Sequence, residues 1–355
     1  MKKKFNKIAV IFLSAGVLYS CVFLGENENN GENERTDVSE HPEYMQQFVA
    51  DISEYAKALK PGFIIIPQNA EELAFSNINR PARGFNELYI NAIDGIGIEE
   101  LFYDRVKIND KERLDMLKMI KNEDIRIMVS DYVYYDEDLS KSVALSLDEG
   151  FIAFPRSRYN YDYIYIPDAP PENIIFDNEP VFSLSAAKNY LYLIGTERYK
   201  TKTAMIEAIS KTQYDVILID LFFNGVALTK ADIAQLKKKA YIEDGEEDVE
   251  GGEEGLEVKE GGERLVISYI SIGSAEDYRY YWKSGWKKGS PSWPSWLWKE
   301  YEGYSHEYWV VFWDPEWQDI IFGNDNSYIK KIIDAGFDGA YLDNVEAYYS
   351  LVHDY

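Results

Sequence analysis

The 355-residue chain has one cysteine and three histidines. A lone thiol cannot close an intramolecular disulfide or build a cysteine-based metal cluster. His41, His306 and His353 are too few for a multi-histidine metal site, so no metal is expected. No cofactor is expected either, because neither a GxGxxG turn nor a Walker-type phosphate loop follows an early strand-like run. Basic side chains are scarce, 37 against 62 acidic, for a formal charge of −25. Neutralising phosphates takes Lys and Arg, so this balance argues against a nucleic-acid partner. No apolar run reaches the ~20 residues of a comfortable membrane span.

What is present is a large apolar and aromatic complement. The chain is 46% hydrophobic, with 29 Tyr, 17 Phe and 8 Trp, enough to bury a sizeable core. The first twenty residues read as an export signal: Lys2, Lys3, Lys4 and Lys7 precede an apolar stretch over 8–18. Leu18-Tyr19-Ser20-Cys21 then has the form of a bacterial lipobox, which makes Cys21 the lipidated first residue of the mature chain. The expected location is thus an exported lipoprotein, membrane-anchored through its lipid alone and facing the periplasm or cell surface. An ordinary secretory signal with a chance cysteine is the competing reading. Residues 21–41 form a polar Glu/Asn/Gly tether, and 42–355 a single domain. A second low-complexity stretch, the acidic 243–263, reads as a solvated loop insertion.

Short runs rich in β-branched and aromatic residues predict strands over 63–66, 96–103, 125–133, 151–154, 190–194, 216–222, 265–272, 308–313 and 337–342. Helix-period segments at 44–59, 110–121, 201–211, 229–240 and 316–335 fall between them. This alternation implies parallel strands with helical crossovers, and the predicted fold is a (β/α)8 TIM barrel. Nine candidates exceed eight by one, so one is short or lies outside the ring. A doubly wound open sheet is the alternative, weakened by the missing glycine-rich phosphate loop.

Polar residues gather where these strands end: Gln68 and Asn69, Glu99 and Glu100, Asp131 and Tyr132, Asp220, Glu276 and Arg279, Asp314, and Asp343 with Asn344 and Glu346. A single Asp after a strand is usually a helix cap. Acids and amides at most strand ends suggest instead one barrel mouth equipped for glycoside hydrolysis, in which one carboxyl protonates the leaving oxygen and another is nucleophile or base. Tyr269, Trp313, Tyr132 and Tyr348 are candidate sugar-stacking rings, each with ordinary packing as the competing role. The five tryptophans of 282–298 suggest either a rim that grips a sugar chain or a packed lid.

Five strings carry a family resemblance: YISIGSAEDYRYYW from Tyr269, WVVFWDPEW from Trp309, GFDGAYLDNVEAY from Gly336, FIIIPQN from Phe63 and GIGIEELFY from Gly95. They resemble the extracellular glycoside hydrolases related to endo-α-1,4-polygalactosaminidase (glycoside hydrolase family 114). The resemblance implies a (β/α)8 barrel and an endo-acting polysaccharide hydrolase, with galactosamine-containing chains as first candidates. It implies Asp343 and Glu99 as catalytic carboxyls, Glu99 the general acid and Asp343 the nucleophile or base, with the assignment between the two left open. Glu100 competes with Glu99, because neighbours on a strand face opposite ways. Asp220, Tyr269, Glu276, Arg279, Trp313, Asp314, Asn344, Gln68, Asn69, Asp131 and Tyr132 are expected to bind substrate, with Arg279 alternatively a structural partner of Glu276 or Asp277. The segment order departs from the family's. There the segments like 215–222, 265–272, 309–314 and 336–348 come first, and those like 63–69, 95–103 and 125–133 follow. A circular permutation is the expected explanation: 161–188, rich in proline, joins the old ends, and the helix at 44–59 takes the place of one expected after Asp343. A non-catalytic carbohydrate-binding protein on the same scaffold remains the alternative, with a barrel enzyme of other chemistry, such as a deacetylase, a weaker third.

Overall fold

The computed structural model describes residues 41–169, 171–242 and 258–352. The export signal, Cys21, the tether and most of the acidic stretch lie outside the described residues. No helix among the described residues is long and apolar enough to cross a membrane.

Nine parallel strands organise the described chain: β1 (Ile64–Pro67), β2 (Gly95–Lys107), β3 (Arg126–Val133), β4 (Ile152–Ala153), β5 (Tyr190–Leu193), β6 (Val216–Asp220), β7 (Leu265–Ser271), β8 (Gly339–Asp343) and the two-residue strand Arg156–Ser157, which pairs with β3 beyond β4. One sheet has the order β1-β8-β7-β6-β5, the other β2-β3-β4. The Gln68–Gly97 bridge links the end of β1 to β2, and Asn69 N donates to Gly97 O at 2.7 Å. Between β4 and β5 the connection is made by side chains and by the Tyr163 carbonyl, which accepts from Ile194 and Gly195 N–H. The Phe154 and Tyr190 rings pack 5.7 Å apart at this seam. Most of these strands are buried on both faces, as the near-continuous Val/Ile/Leu runs require.

The ninth predicted strand is not one of the parallel set. Glu307–Val310 is the middle strand of an antiparallel sheet with Ser274–Glu276 and Leu297–Glu300. The predicted helix over 316–335 is two, Pro315–Ile321 and Tyr328–Ala335, separated by a turn containing Gly323 at φ 95°. The predicted helix 229–240 stops at Leu236, because Lys238–Ile242 pairs antiparallel with Val258–Glu263. The tail of the supposed acidic loop is therefore a strand. A short helix, Ala347–Val352, follows Asp343 where none was expected.

Helix starts follow local chemistry. Asp110 Oδ1 accepts from Arg113 N–H and Thr201 Oγ1 from Ala204 N–H, while Thr229 and Asp232 form a reciprocal capping box. Tyr328–Ala335 buries Ile329 and Ile332 completely, worth roughly 1.5–3 kcal/mol each, and ends at Gly336 in the left-handed region. The N-terminal helix, His41–Leu59, packs on Tyr328–Ala335 and Ala347–Val352, so the two ends of the described chain are neighbours. Gly97 admits no side chain: a Cβ there would lie 1.8 Å from the Tyr341 hydroxyl.

Candidate active site

Asp343 closes β8 and is partly buried. The Tyr269 hydroxyl donates to its Oδ2 at 2.5 Å and the Asn344 N–H to its Oδ1 at 2.7 Å. Asn344 can make this turn because it sits at φ 58°, and its Nδ2 donates to Ser271 Oγ and Ser274 Oγ. Burial pushes the Asp343 carboxyl up to about 6 despite these donors, with the negative charges of Glu99 and Glu276 adding to the rise. Glu99 therefore lies within the field of Asp343.

Glu99 is held from three sides. The Tyr163 hydroxyl donates to its Oε1 and shares a 2.9 Å bond with Ser130 Oγ. Arg156 Nη2 lies 3.5 Å from the same oxygen. Asn69 Oδ1 accepts the Glu99 N–H, and Arg113 Nη1 donates to the Glu99 carbonyl at 2.9 Å. Arg113 also binds Glu71 and Asn69, so its guanidinium pins the end of β2 to the turn after β1. Gln68 is buried and accepts from the Tyr192 hydroxyl at 3.2 Å.

The strand alternation expected to turn Glu99 and Glu100 opposite ways is broken. The β2–β3 register shifts between Glu99 and Asp104, and Glu100 adopts φ 56°. This bulge breaks the strand alternation, so both carboxyls reach Arg156. Asp131 fastens the bulge: fully buried, it accepts from Phe102 N–H and Ser142 Oγ. It is thus committed to structure, as strand alternation alone could not reveal.

Arg279 is the structural partner that sequence left open. It bridges Glu276 and Asp220, with Nη1 2.7 Å from Asp220 Oδ2 and Nη2 3.0 Å from Glu276 Oε1. Asp277 pairs with His306 instead. Asp314 caps Pro315–Ile321 by accepting from Glu316 N–H, the bland reading of an Asp after a strand. Trp313 stacks on His41, ring centroids 4.7 Å apart, and also faces Tyr44, so it packs against the N-terminal helix. Tyr348 is buried and donates to Glu72 Oε1. Trp282, Trp286, Trp293 and Trp296 pack on one another, on Tyr308 and on Trp317, as a lid rather than a free rim. Tyr132 stays near the site, packed edge-on against Tyr161 and 5.6 Å from Arg156.

Several residues at this opening were missed. Glu346 and Glu307 are partly buried, and burial together with the Asp343 charge pushes both up to about 8, Glu276 adding to the rise at Glu307. Arg156, Tyr161 and Tyr163 come from the connection after β4; Arg156 lies on the short strand beside β3, and Tyr161 and Tyr163 lie at the start of the stretch that composition marked only as a linker. The Tyr161 hydroxyl hydrogen-bonds Tyr304, half-exposed on the facing loop. The available signal was the Tyr/Arg density of 156–165, which runs into that linker. Among the described residues no group of three or more His, Cys, Asp or Glu is arranged to hold a metal ion.

Residues 196–354 match the model of glycoside hydrolase family GH114. The chain is 34% identical over 177 residues to an uncharacterized protein of Methanocaldococcus jannaschii, covering 50% of this chain and 43% of that one. It is 36% identical over 108 residues to an uncharacterized protein of Thermotoga maritima, covering 30% and 31% respectively. A third uncharacterized protein, from Deinococcus radiodurans, is 41% identical over 85 residues, covering 24% and 25%. The chain thus spans less than half the length of these curated relatives. Asp220, Tyr269, Glu276, Arg279 and Asp343 lie inside the stretch that is similar to the GH114 glycoside hydrolases.

Proposed function

We propose that this protein is an exported, lipid-anchored glycoside hydrolase that cleaves a polysaccharide internally at Glu99 and Asp343. Galactosamine-containing chains are the first candidates. One observation carries the reading: two acids 244 positions apart in the sequence lie in each other's field, each fixed by tyrosine and backbone contacts. Glu99 suits the general acid. The bonds to its side chain use Oε1, leaving Oε2 to protonate the leaving oxygen. Asp343 suits the nucleophile or base, because donors on both its oxygens orient the carboxylate. Tyr161 and Tyr304 offer rings for a sugar chain crossing the opening.

The two sheets belong, in this reading, to one closed (β/α)8 ring in circularly permuted order. Support comes from the pairing of the first strand with the last, from the N-terminal helix packed beside the C-terminal one, and from a family match confined to the C-terminal half. The described residues of the connection from Ala153 to Tyr190 also form no α-helix, as expected of a join between former ends. Export and anchoring rest on the sequence of residues 2–21.

The test is release of new reducing ends from galactosamine-containing and other bacterial polysaccharides, by the wild type and by Asp343→Asn and Glu99→Gln. Loss of product in both folded variants is the expected result. Equal product from either variant would reject its role. Saccharide binding without cleavage by the wild type would leave the non-catalytic binding protein as the function.

A further inference from the structure

Glu100 sits where a strand residue should point away from the opening, yet it does not. The left-handed turn at φ 56° brings its carboxyl to Arg156, whose Nη2 lies 2.9 Å from Glu100 Oε1 and 3.5 Å from Glu99 Oε1. One nitrogen therefore serves two adjacent acids. Arg156 has little freedom to choose otherwise: it is 4% exposed, its Nη1 donates to the Tyr161 carbonyl, and its plane lies among the Tyr132, Tyr161 and Tyr163 rings. Arg113 holds the Glu99 and Glu100 carbonyls and so fixes the turn itself. A non-glycine residue in this backbone region is uncommon and persists where surrounding contacts over-determine it.

We propose that Glu100 is a positioning residue that sets the proton affinity of Glu99 by competing for the guanidinium they share. When Glu100 is ionised it draws the Arg156 charge and adds its own negative field, and Glu99 holds its proton more tightly. When Glu100 is neutral, Arg156 turns its charge to Glu99, which releases its proton more readily. A general acid must keep its proton at working pH, so an ionised neighbour extends the range in which Glu99 can act. Glu100 also faces Asp104, Arg113 and Tyr161, and burial pushes its carboxyl up to about 7, into the range where this exchange operates. Around Glu99 the other groups include Tyr161, Tyr163, Tyr190, Tyr192, Tyr304, Tyr341, Asp343 and Glu346, none of them on its own strand. The inference rests on Glu99 being the acid of the proposed hydrolysis.

The test replaces Glu100 by Gln, which keeps its shape and removes its charge. The expected result is a shift of the alkaline limb of kcat/KM to lower pH by about 0.5–1 unit, a ~3–10-fold fall in Glu99 proton affinity. In the Arg156→Gln background, Glu100→Gln should move the limb by less than half as much, because the shared partner is gone. A carbon-13 titration of the Glu99 carboxyl in wild type and Glu100→Gln reads the same shift without substrate. If that titration moves while no polysaccharide is cleaved, the coupling stands and the hydrolase reading fails. A Glu99 titration unmoved by Glu100→Gln, or a shift equally large without Arg156, would overturn the inference. A merely structural role for Glu100 would lower turnover without moving the limb.

Discussion

Acidic side chains occupy both ends of the same parallel strands, and the two sets are treated in opposite ways. At the N-terminal ends, Asp94, Asp215 and Asp338 each stand just before a strand and accept a backbone N–H from the neighbouring element: Ile65, Lys188 and Val266 respectively. Each also has a lysine: Lys57 at 3.1 Å from Asp94, Lys239 at 2.5 Å from Asp215, and Lys237 at 2.6 Å from Asp338. At and beyond the C-terminal ends, burial and neighbouring acids raise the proton affinity of Asp343, Glu100 and Glu346, and of Glu307 on the adjoining antiparallel sheet. The base spends its carboxylates on register and strand adjacency. The mouth keeps like charges close at a cost in stability, which is where a parallel α/β sheet places chemistry.

The sharpest way to break this contrast is to neutralise one acid of each kind. Asp343→Asn should lower hydrolysis by about 10³-fold or more while leaving the thermal melt unchanged or slightly raised, as read by reducing-end release and calorimetry. At the base, Asp215→Asn takes from the fully buried Lys239 its buried carboxylate, leaving it the Glu179 carbonyl and a longer contact to Asp177. Unfolding in urea should then show a loss of about 3–5 kcal/mol, with activity per folded molecule unchanged.

A smaller effect of opposite sign is expected at Glu346. Its folded proton affinity is raised, so its favourable contribution is complete below the unfolded value near 4.5 and is lost as pH rises through about 8. Glu346→Gln should therefore stabilise the protein at pH 9 by roughly 2 kcal/mol and do almost nothing at pH 4. A melt insensitive to pH in this comparison would remove Glu346 from the strained set. Last, activity should decline below about pH 6, where Asp343 takes up a proton, falling toward tenfold per pH unit. A profile flat down to pH 4.5 would mean that Asp343 need not be ionised.

Much of the strand set was legible because buried parallel strands read as continuous β-branched and aromatic runs. Eight of nine predicted strands coincide with the parallel set. The ninth misled because Glu307–Val310 has the same apolar character but pairs antiparallel, and strand partners are not encoded in composition. The two candidate acids were picked out through the motifs around Glu99 and Asp343, and the structure places Glu99 within the field of Asp343. Trp313 and Asp314 were overread for a related reason: polar and aromatic residues after a strand look alike whether they face substrate, cap a helix or pack on His41. Tyr161 and Tyr163 were underread because proline-rich composition suggests a passive connection and hides where its side chains go, and Arg156 because its strand is only two residues long.

Charge balance, the scarcity of cysteine and histidine, the alternation of strand and helix patterns and the two acidic motifs were determined by the sequence alone. They depend on residue type and local spacing, which a chain displays before it folds. The convergence of Glu99 with Asp343, the bulge that brings Glu100 beside Glu99, and the arginine they share were decided by tertiary structure. Those features arise from residues far apart in the chain and from a backbone turn that only the packing of Arg113, Asn69 and Asp131 holds in place.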